Sequence, residues 1–286
     1  MKKLITYVVS VTLISILFMP VMLVSAKVGQ KMDVHLIDVG QGDSILIKTP
    51  HNKVILIDGG PPKAGKTVVD YIKQQDIHTI DLLITTHPHI DHIGGLPEVL
   101  KNIAVKQILD SGRIHATLTY AKYINQIRKQ KIPMTIAKAN TYIELDPSLS
   151  IKILNAHRPF KNNNQSSIAL QITYDDIVFL FLGDIEAEQE QKISQRNIID
   201  ADFLKVAHHG SKTSSSLAFL ERVKPEVALL TYSKKNRYGH PVKQVIENLQ
   251  RTEAQIYSTA VFGHVTIHTN GKNYLIIPEL SPLDGL

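Results

Sequence analysis

Residues 86–95 of this chain read Thr-His-Pro-His-Ile-Asp-His-Ile-Gly-Gly. Thr86 is also the last residue of the run Leu82–Thr86, which has the composition of a buried strand. Four potential metal ligands fall within six residues of this stretch: His87, His89, Asp91 and His92. The first two are two positions apart, so in an extended segment their side chains point the same way. Asp91 and His92 lie at the start of the next helix, so their side chains can turn toward the position of a second cation. The stretch therefore predicts a site for two adjacent cations, with ligand types that suit Zn²⁺ and also Mn²⁺.

Runs with the composition of strands alternate with runs of helical periodicity on both sides of this stretch. The predicted strands are Val34–Val39, Ser44–Lys48, Lys53–Ile57, Leu82–Thr86, Leu149–Leu154, Ile168–Tyr174, Val178–Leu182, Phe203–Ala207, Val227–Thr231, Val265–His268 and Tyr274–Ile277. The predicted helices are Lys66–Gln75, Gly94–Asn102, Ala116–Lys131, Glu186–Arg196 and Pro241–Arg251. Hairpins in both halves, with helices between them, predict an α/β fold: an αββα sandwich of two mixed β-sheets packed face to face with helices outside.

Polar clusters repeatedly follow the ends of the predicted strands. They are Asp58, His87–His92, Asp184, His208-His209 and Tyr238-Gly239-His240. Loops at strand ends are where a rigid scaffold usually places a functional site. We therefore expect these clusters to meet.

The N-terminus has the pattern of a secretory signal peptide. Met1-Lys2-Lys3 precedes a long apolar run that ends in Val24-Ser25-Ala26, and small residues of this kind precede a cleavage site. We predict a signal peptide over residues 1–26, a single domain over residues 27–286 and an extracytoplasmic location. An uncleaved membrane anchor is the alternative, because the run has about the ~20 residues that a span needs.

Composition narrows the chemistry. The chain has no Cys, which excludes disulfides and thiolate ligands and leaves His, Asp and Glu to hold a metal. The formal net charge of +6 is compatible with an anionic substrate. Nothing in the sequence indicates an oligomeric state, and we expect membrane contact only through an uncleaved signal segment.

The motifs together resemble the metallo-β-lactamase superfamily. More narrowly, they are similar to the hydrolase domain of the ComEC-type DNA-uptake proteins and their stand-alone relatives. The matching segments are Asp38–Ser44, Leu56–Gly60, His87–Gly95, Phe181–Glu186, Leu204–Ser211 and Asn236–Pro241. They lie in family order between about residues 33 and 278, without the membrane channel of the DNA-uptake proteins.

The resemblance implies a role for each cluster. It implies a first cation held by His87 and His89, a second held by Asp91 and His92, and a bridge from Asp184. One of the two adjacent histidines would complete the second site; we favour His209, with His208 facing the substrate. Asp58 would orient ligand histidines from outside the ligand set.

One position departs from the superfamily pattern. Many members supply a further His to the first cation between the His-rich stretch and the bridging Asp, but this chain has the run Asn162–Ser167 there. His157 lies nearby, outside the aligned position. We expect a more open first site, with Asn164 or water in place of the missing ligand.

The resemblance implies a hydrolase that uses a metal-activated water, and a phosphodiesterase or nuclease-like activity is the favoured reading. The predicted catalytic residues are Asp91, His208 and His240, and the predicted substrate-binding residues are Ser211, Lys212 and Tyr238. Hydroxyls and cations of this kind bind phosphate oxygens, and the segments Ser211–Ser216 and Lys234–Arg237 both supply them. As alternatives, Ser211–Ser216 could cap the N-terminus of a helix, and Lys234–Arg237 could be a solvated turn. The expected partner is an anionic phosphodiester, either DNA or a component of the cell envelope. The alternatives are a hydrolase of a carbon ester, lactone or lactam, and a catalytically weak metal-binding module.

Overall fold

The computed structural model describes residues 30–156 and 161–281. The predicted signal peptide and His157 lie outside the described residues, so the cleavage site and the start of the domain stay predictions. None of the helices found in these two ranges is both long enough and apolar enough to cross a membrane.

Two large β-sheets form the centre of the fold. The strands are β1 Met32–Leu36, β2 Ile45–Lys48, β3 Val54–Ile57, β4 Thr79–Ile80, β5 Leu82–Thr85, β6 Ala104–Val105, β7 Ile108–Asp110, β8 Met134–Ile136, β9 Leu149–Asn155, β10 Ala169–Tyr174, β11 Ile177–Phe181, β12 Phe203–Lys205, β13 Val227–Leu230, β14 Gln255–Ser258, β15 Val265–Thr269 and β16 Tyr274–Pro278. The first sheet has the order β16-β15-β1-β2-β3-β5-β7-β8, and the second has the order β14-β13-β12-β11-β10-β9. Strands β4 and β6 pair separately.

Helices cover the outer face of each sheet. They are α1 Gly65–Gln74, α2 Ile90–Ile93, α3 Leu96–Asn102, α4 Leu118–Gln130, α5 Ala187–Arg196, α6 Leu217–Val223, α7 Lys243–Arg251 and α8 Thr259–Phe262. Short 3₁₀ turns span Pro62–Ala64, Asn164–Ser166 and Ala207–Gly210.

Alternation along the strands builds three apolar layers. In β3, Ile55 and Ile57 join the core between the two sheets, whereas Leu56 faces the other way and packs with residues of α1 and α3. In β12, Phe203 lies between the sheets and Leu204 packs under α6 and α7. Because both faces of β3 are covered, it is apolar at every position rather than at every second one. The arrangement confirms the predicted αββα sandwich.

Parallel strands bring the polar clusters to one edge of the sandwich. Strands β3, β5, β7 and β8 are parallel neighbours in the first sheet, and β11, β12, β13 and β14 are parallel neighbours in the second. Asp58 and the stretch 87–92 follow β3 and β5, and Asp184 and His208-His209 follow β11 and β12. The carboxyl ends of parallel strands share an edge, so these loops converge.

Glycines let the loops at this edge pack backbone to backbone. A Cβ on Gly42 would lie 2.2 Å from the carbonyl oxygen of Asp91, and one on Gly95 would lie 2.1 Å from that of Gly59. The Gly59 N–H donates to the carbonyl of His92 at 2.7 Å. The helical turn α2 is thereby held by the loops after β1 and β3, which sets where its side chains point.

The sequence missed five strands, two of which, β4 and β6, pair only with each other, and it shifted several boundaries. The missed strands that join the large sheets are β7, β8 and β14, which are only three or four residues long, too short for a clear period. The predicted helix Gly94–Asn102 begins at Leu96, after the separate turn α2. The predicted strand Phe203–Ala207 stops at Lys205, because the 3₁₀ turn carrying His208 and His209 begins there.

Candidate metal centre

The side chains of the His-rich stretch face the carboxylate of Asp184, which is buried. Its Oδ2 lies 3.5 Å from Nε2 of His87 and 3.3 Å from Nε2 of His92. Nδ1 of His89 lies 3.0 Å from Nε2 of His87. The two histidines predicted for the first cation therefore present one nitrogen each to the same point, beside the predicted bridging carboxylate.

A second group of donors lies on the other side of Asp184. Nε2 of His209 is 3.5 Å from Oδ2 of Asp91 and 3.8 Å from Oδ1 of Asp184. Donor atoms of Asp91, His92 and His209 lie within 4.8 Å of one another. The structure thus brings His209, rather than His208, together with the pair predicted for the second cation.

Three buried atoms at this centre have no hydrogen-bond partner among the described residues: Nε2 of His92, Nε2 of His209 and Oδ1 of Asp184. A buried polar atom without a partner costs about 1–3 kcal/mol, so it is rare in a native fold. All three are good ligands for a divalent cation, and two imidazoles with shared carboxylates match the preferences of Zn²⁺. The donor set therefore fits a bound metal.

Asp58 orients two of the histidines. Its Oδ2 accepts from Nδ1–H of His92 at 2.7 Å and from the hydroxyl of Thr86 at 2.5 Å. Since that hydroxyl donates to Asp58, it can accept from Nδ1–H of His87, 3.1 Å away. Both rings then have a proton on Nδ1 and direct Nε2 toward Asp184, which is the orientation that a metal ligand requires.

His209 is oriented by a different set of partners. Its Nδ1 lies 2.8 Å from the carbonyl oxygen of Thr231, at the end of β13, so Nδ1 carries the proton and Nε2 is free. A buried ion pair lies next to His209, in which Nζ of Lys205 is 2.9 Å from Oδ2 of Asp43. The other oxygen of Asp43 accepts from the Thr231 hydroxyl.

Left-handed backbone conformations occur at three of these residues. Asp58 has φ 58°, His208 has φ 52° and His209 has φ 55°. Such values are uncommon outside glycine and cost of order 1–3 kcal/mol each. The 3₁₀ turn Ala207–Gly210 thereby directs two adjacent histidines differently: His209 is buried at the metal position, and His208 is partly exposed.

The charges of the centre are coupled. Burial raises the pKa of Asp184, but His92 and His209 outweigh it and hold that pKa well below its usual range. Burial and the neighbouring His92 lower the pKa of His87, so that ring is neutral. Burial would also lower the pKa of His92, but Asp184 and Asp58 raise it well above its usual value. The centre thus holds enough carboxylate charge to stabilise a cation among its histidines.

A cavity of about 370 Å³ opens over this centre. It is lined by Gln41, His89, Ile90, Asp91, His115, Thr117, Thr119, Asp184, His208, His209, Tyr238 and His240. The half-exposed ring of Tyr238 stacks on His240, with centroids 5.6 Å apart. Burial, together with His208 and His209, lowers the pKa of His240 to about 4, so its ring is neutral at pH 7 and can donate one N–H.

Not every predicted residue reaches the cavity. Ser211 is buried, and its hydroxyl lies 3.1 Å from that of Thr213. Lys212 is exposed and is not in the cavity lining. Nδ2 of Asn164 lies 3.4 Å from Nε2 of His208, and its Oδ1 is buried without a hydrogen-bond partner in the described ranges. Asn164 is therefore beside the centre, while the Ser211 and Lys212 side chains lie outside the cavity.

Sequence reasoning missed several residues of the site. Gln41, His115, Thr117 and Thr119 line the cavity, and Asp43 and Lys205 form the ion pair below it. His115 follows β7, a strand too short to recognise, so nothing marked it as lying at the same edge. For Asp43 the sequence did carry an indication of a role at the site, because Asp43 lies in Asp38–Ser44, one of the segments on which the family resemblance rests.

The sequence profile described as "Metallo-beta-lactamase superfamily" matches residues 37–233. The chain belongs to the metallo-β-lactamase superfamily. This membership, with the clustered His and Asp donors, supports the coarse prediction of a metal-binding hydrolase.

Individual relatives narrow the resemblance to one group of proteins within the superfamily. The chain is 30% identical over 262 residues to the ComE operon protein 3 of Bacillus subtilis, covering 84% of this chain and 33% of that protein. It is 29% identical to the Recombination protein 2 of Haemophilus influenzae, covering 82% of this chain and 28% of that protein. These relatives confirm the predicted resemblance to ComEC-type proteins, of which the chain spans about a third. The fold is similar to that of the metallo-β-lactamase fold protein YhfI from Bacillus subtilis, with a TM-score of 0.54, 14% identity and coverage of 84% of this chain and 100% of that one.

Proposed function

We propose that this chain is an extracytoplasmic phosphodiesterase that works with two divalent cations, Zn²⁺ in the first instance and Mn²⁺ as a substitute. The observation that carries the proposal is the composition of the cavity. Carboxylates and imidazoles of the metal centre form its floor, and hydrogen-bond donors, including Gln41, His240 and Tyr238, form its walls. A phosphoryl group has several charged oxygens, so it uses both the cations and this set of donors.

The ligand roles follow the donor geometry. We assign His87 and His89 to the first cation, Asp91, His92 and His209 to the second, and Asp184 to both. The buried Oδ1 of Asn164, beside His208, is the side chain available to complete the first site. When bound, such cations act as Lewis acids and lower the pKa of water toward neutrality.

Three residues of the chain would act on the substrate directly. The carboxylate of Asp91, ionised because His209 and His92 lower its pKa, accepts a hydrogen bond from the attacking water. His240 donates its N–H to the negative charge that develops on the phosphoryl or leaving oxygen. His208, partly exposed at the cavity, faces the substrate between these two.

The rim of the cavity suits a planar leaving group. The exposed ring of Tyr238 stacks on His240, and the guanidinium of Arg237 lies 5.3 Å from the tyrosine ring centroid. An exposed aromatic ring beside a cation can stack a nucleobase and attract its phosphate. Together with the names of the competence and recombination relatives, this rim favours DNA over a cell-envelope phosphodiester.

A substrate panel tests the proposal. The protein, loaded with Zn²⁺ or Mn²⁺, is assayed on bis-p-nitrophenyl phosphate, nitrocefin, a lactone, and single- and double-stranded DNA. We expect hydrolysis of the phosphodiester and of DNA. Turnover of nitrocefin or the lactone alone would refute the phosphodiesterase and support a hydrolase of carbon esters or lactams. Cleavage of the small phosphodiester without DNA would indicate an envelope substrate.

Replacement of the bridging carboxylate tests the metal centre. Asp184→Ala is expected to reduce bound metal and to abolish activity, because it removes the carboxylate that faces both donor groups. Asp70→Ala is the matched control, since Asp70 is an exposed aspartate on α1 that pairs only with Lys66 among the described residues. An unchanged turnover rate and metal content in Asp184→Ala would contradict the bridging role.

A further inference from the structure

His115 is a cavity residue that lies outside all six short motif segments on which the family resemblance was first based. It lies in the loop between β7 and α4 and lines the cavity beside the proposed first cation site. Its ring centroid is 5.9 Å from that of His89, at an interplanar angle of 67°. The position invites two readings: a further metal ligand, or a group that contacts the substrate.

The hydrogen bonds of Asn163 distinguish these readings. Nε–H of Arg113 donates to Oδ1 of Asn163 at 3.1 Å, and because Nε can only donate, this bond fixes which end of the amide is oxygen. The amide nitrogen of Asn163 then lies 3.2 Å from Nδ1 of His115. An amide nitrogen donates, so Nδ1 of His115 accepts and carries no proton.

The proton of the neutral His115 ring therefore resides on Nε2. This is the opposite of the arrangement at His87, His92 and His209, whose Nδ1 atoms donate and whose Nε2 atoms face the metal centre. A ring nitrogen that carries a proton is a hydrogen-bond donor and cannot bind a metal. His115 is thus arranged to donate to an oxygen in the cavity rather than to ligate the cation beside it.

We propose that His115, held by Asn163, is a substrate-contacting residue that donates Nε2–H to an anionic oxygen of the phosphoryl group. The assignment rests on the proposed phosphodiesterase function. Asn163 lies in the Asn-rich run that replaces the ligand histidine of other superfamily members. The run Asn162–Ser167 would therefore position a substrate donor through Asn163.

The test combines metal content with the binding of inorganic phosphate to the metal-loaded protein, measured by calorimetry. His115→Ala is expected to keep the full metal content, to bind phosphate about 10- to 100-fold more weakly, and to lose kcat/KM by a similar factor, as for a hydrogen bond to a charged group. His78→Ala is the control, because His78 is an exposed histidine remote from the cavity lining. It should match the unaltered protein in all three measurements.

Asn163→Leu tests the role of the amide. Leucine is close to asparagine in size and can neither donate to Nδ1 of His115 nor accept from it, so the ring loses the partner that keeps its proton on Nε2. We expect weaker phosphate binding than in the unaltered protein, and no loss in the double variant beyond that of His115→Ala, because Asn163 acts through His115. Thermal unfolding of each variant checks that the fold is intact.

Two kinds of failure are distinguishable. If the unaltered protein hydrolyses no phosphodiester, the proposed function is wrong, and phosphate binding still decides the role of His115. Loss of one metal equivalent in His115→Ala would make His115 a ligand and overturn the inference. Unchanged phosphate binding in either His115→Ala or Asn163→Leu would also overturn it.

Discussion

The ion pair below the metal centre allows a quantitative test of the fold. Nζ of Lys205 lies 2.9 Å from Oδ2 of Asp43 and donates to the carbonyl of Val206 at 3.0 Å. The two side chains are 0% and 3% exposed. Burial alone raises the pKa of Asp43, but Lys205, together with His209 and His92, outweighs it and lowers that pKa, so the carboxyl is ionised.

Lys205→Met removes the ammonium group and keeps the apolar stem. The carboxylate of Asp43 is then buried without a counter-ion, which typically costs about 3–5 kcal/mol of unfolding free energy. Each kcal/mol shifts the melting temperature of a chain of this size by roughly 2–4 °C, so a fall of roughly 6–20 °C is expected. The expected loss exceeds that of a surface pair because no water replaces the missing partner.

The double variant Asp43→Asn with Lys205→Met shows whether the lost stability comes from an uncompensated buried charge or from the loss of the attraction between the two side chains. It removes both charges, and the amide oxygen of the new asparagine can still accept from the Thr231 hydroxyl. We expect it to recover most of the stability lost in Lys205→Met, because replacing both members of a buried pair is often nearly neutral.

Urea unfolding of the chelator-treated protein, followed by circular dichroism, measures these differences without a contribution from metal binding. Lys192→Met is the matched control, since Lys192 pairs with Glu188 on the surface of α5 and such pairs contribute about 0.3–0.5 kcal/mol. A Lys205→Met variant as stable as this control would refute the reasoning. So would a double variant less stable than Lys205→Met.

Two further predictions concern histidine environments. Thr86→Val removes the hydroxyl that links Asp58 to His87, so we expect metal affinity to fall about 10- to 100-fold. Thr86→Ser keeps a hydroxyl and should bind metal almost as tightly as the unaltered protein. Equal affinities of all three proteins in a metal titration would exclude the link. Burial lowers the pKa of His35 to about 4 from its ordinary value of 6.5, so between these pH values the unfolded chain binds more protons and acid destabilises the fold. This contributes about 2 kcal/mol of lost stability between pH 7 and pH 5; His35→Gln should show a shallower decline in urea unfolding, and parallel declines would contradict the assignment.

Much of the fold was predictable because its signals are local. The apolar run before His87 and the continuous apolar runs of β2 and β3 depend only on neighbouring residues. The missed strands β7, β8 and β14 have three or four residues, and their pairing depends on partners that lie elsewhere in the chain. Their boundaries were therefore set by sheet formation rather than by local pattern.

Two residues in the predicted substrate-binding set show where local reasoning failed. Ser211 and Lys212 follow His209 in sequence, and proximity in the chain suggested proximity to the substrate. The left-handed turn at His208 and His209 directs the chain away, so Ser211 is buried against Thr213 and Lys212 lies outside the cavity.

The sequence by itself determined which residues can hold a metal: the spacing of His87, His89, Asp91 and His92 places two donor pairs on consecutive loop and helix positions. Only the tertiary structure decided what each imidazole does. The hydrogen-bond partner of Nδ1 decides which ring nitrogen is available to the centre, and those partners, Asp58, the Thr231 carbonyl and Asn163, come from other loops at the sheet edge. For that reason His87, His92 and His209 direct Nε2 to the centre as ligands, and His115, beside them, presents a proton.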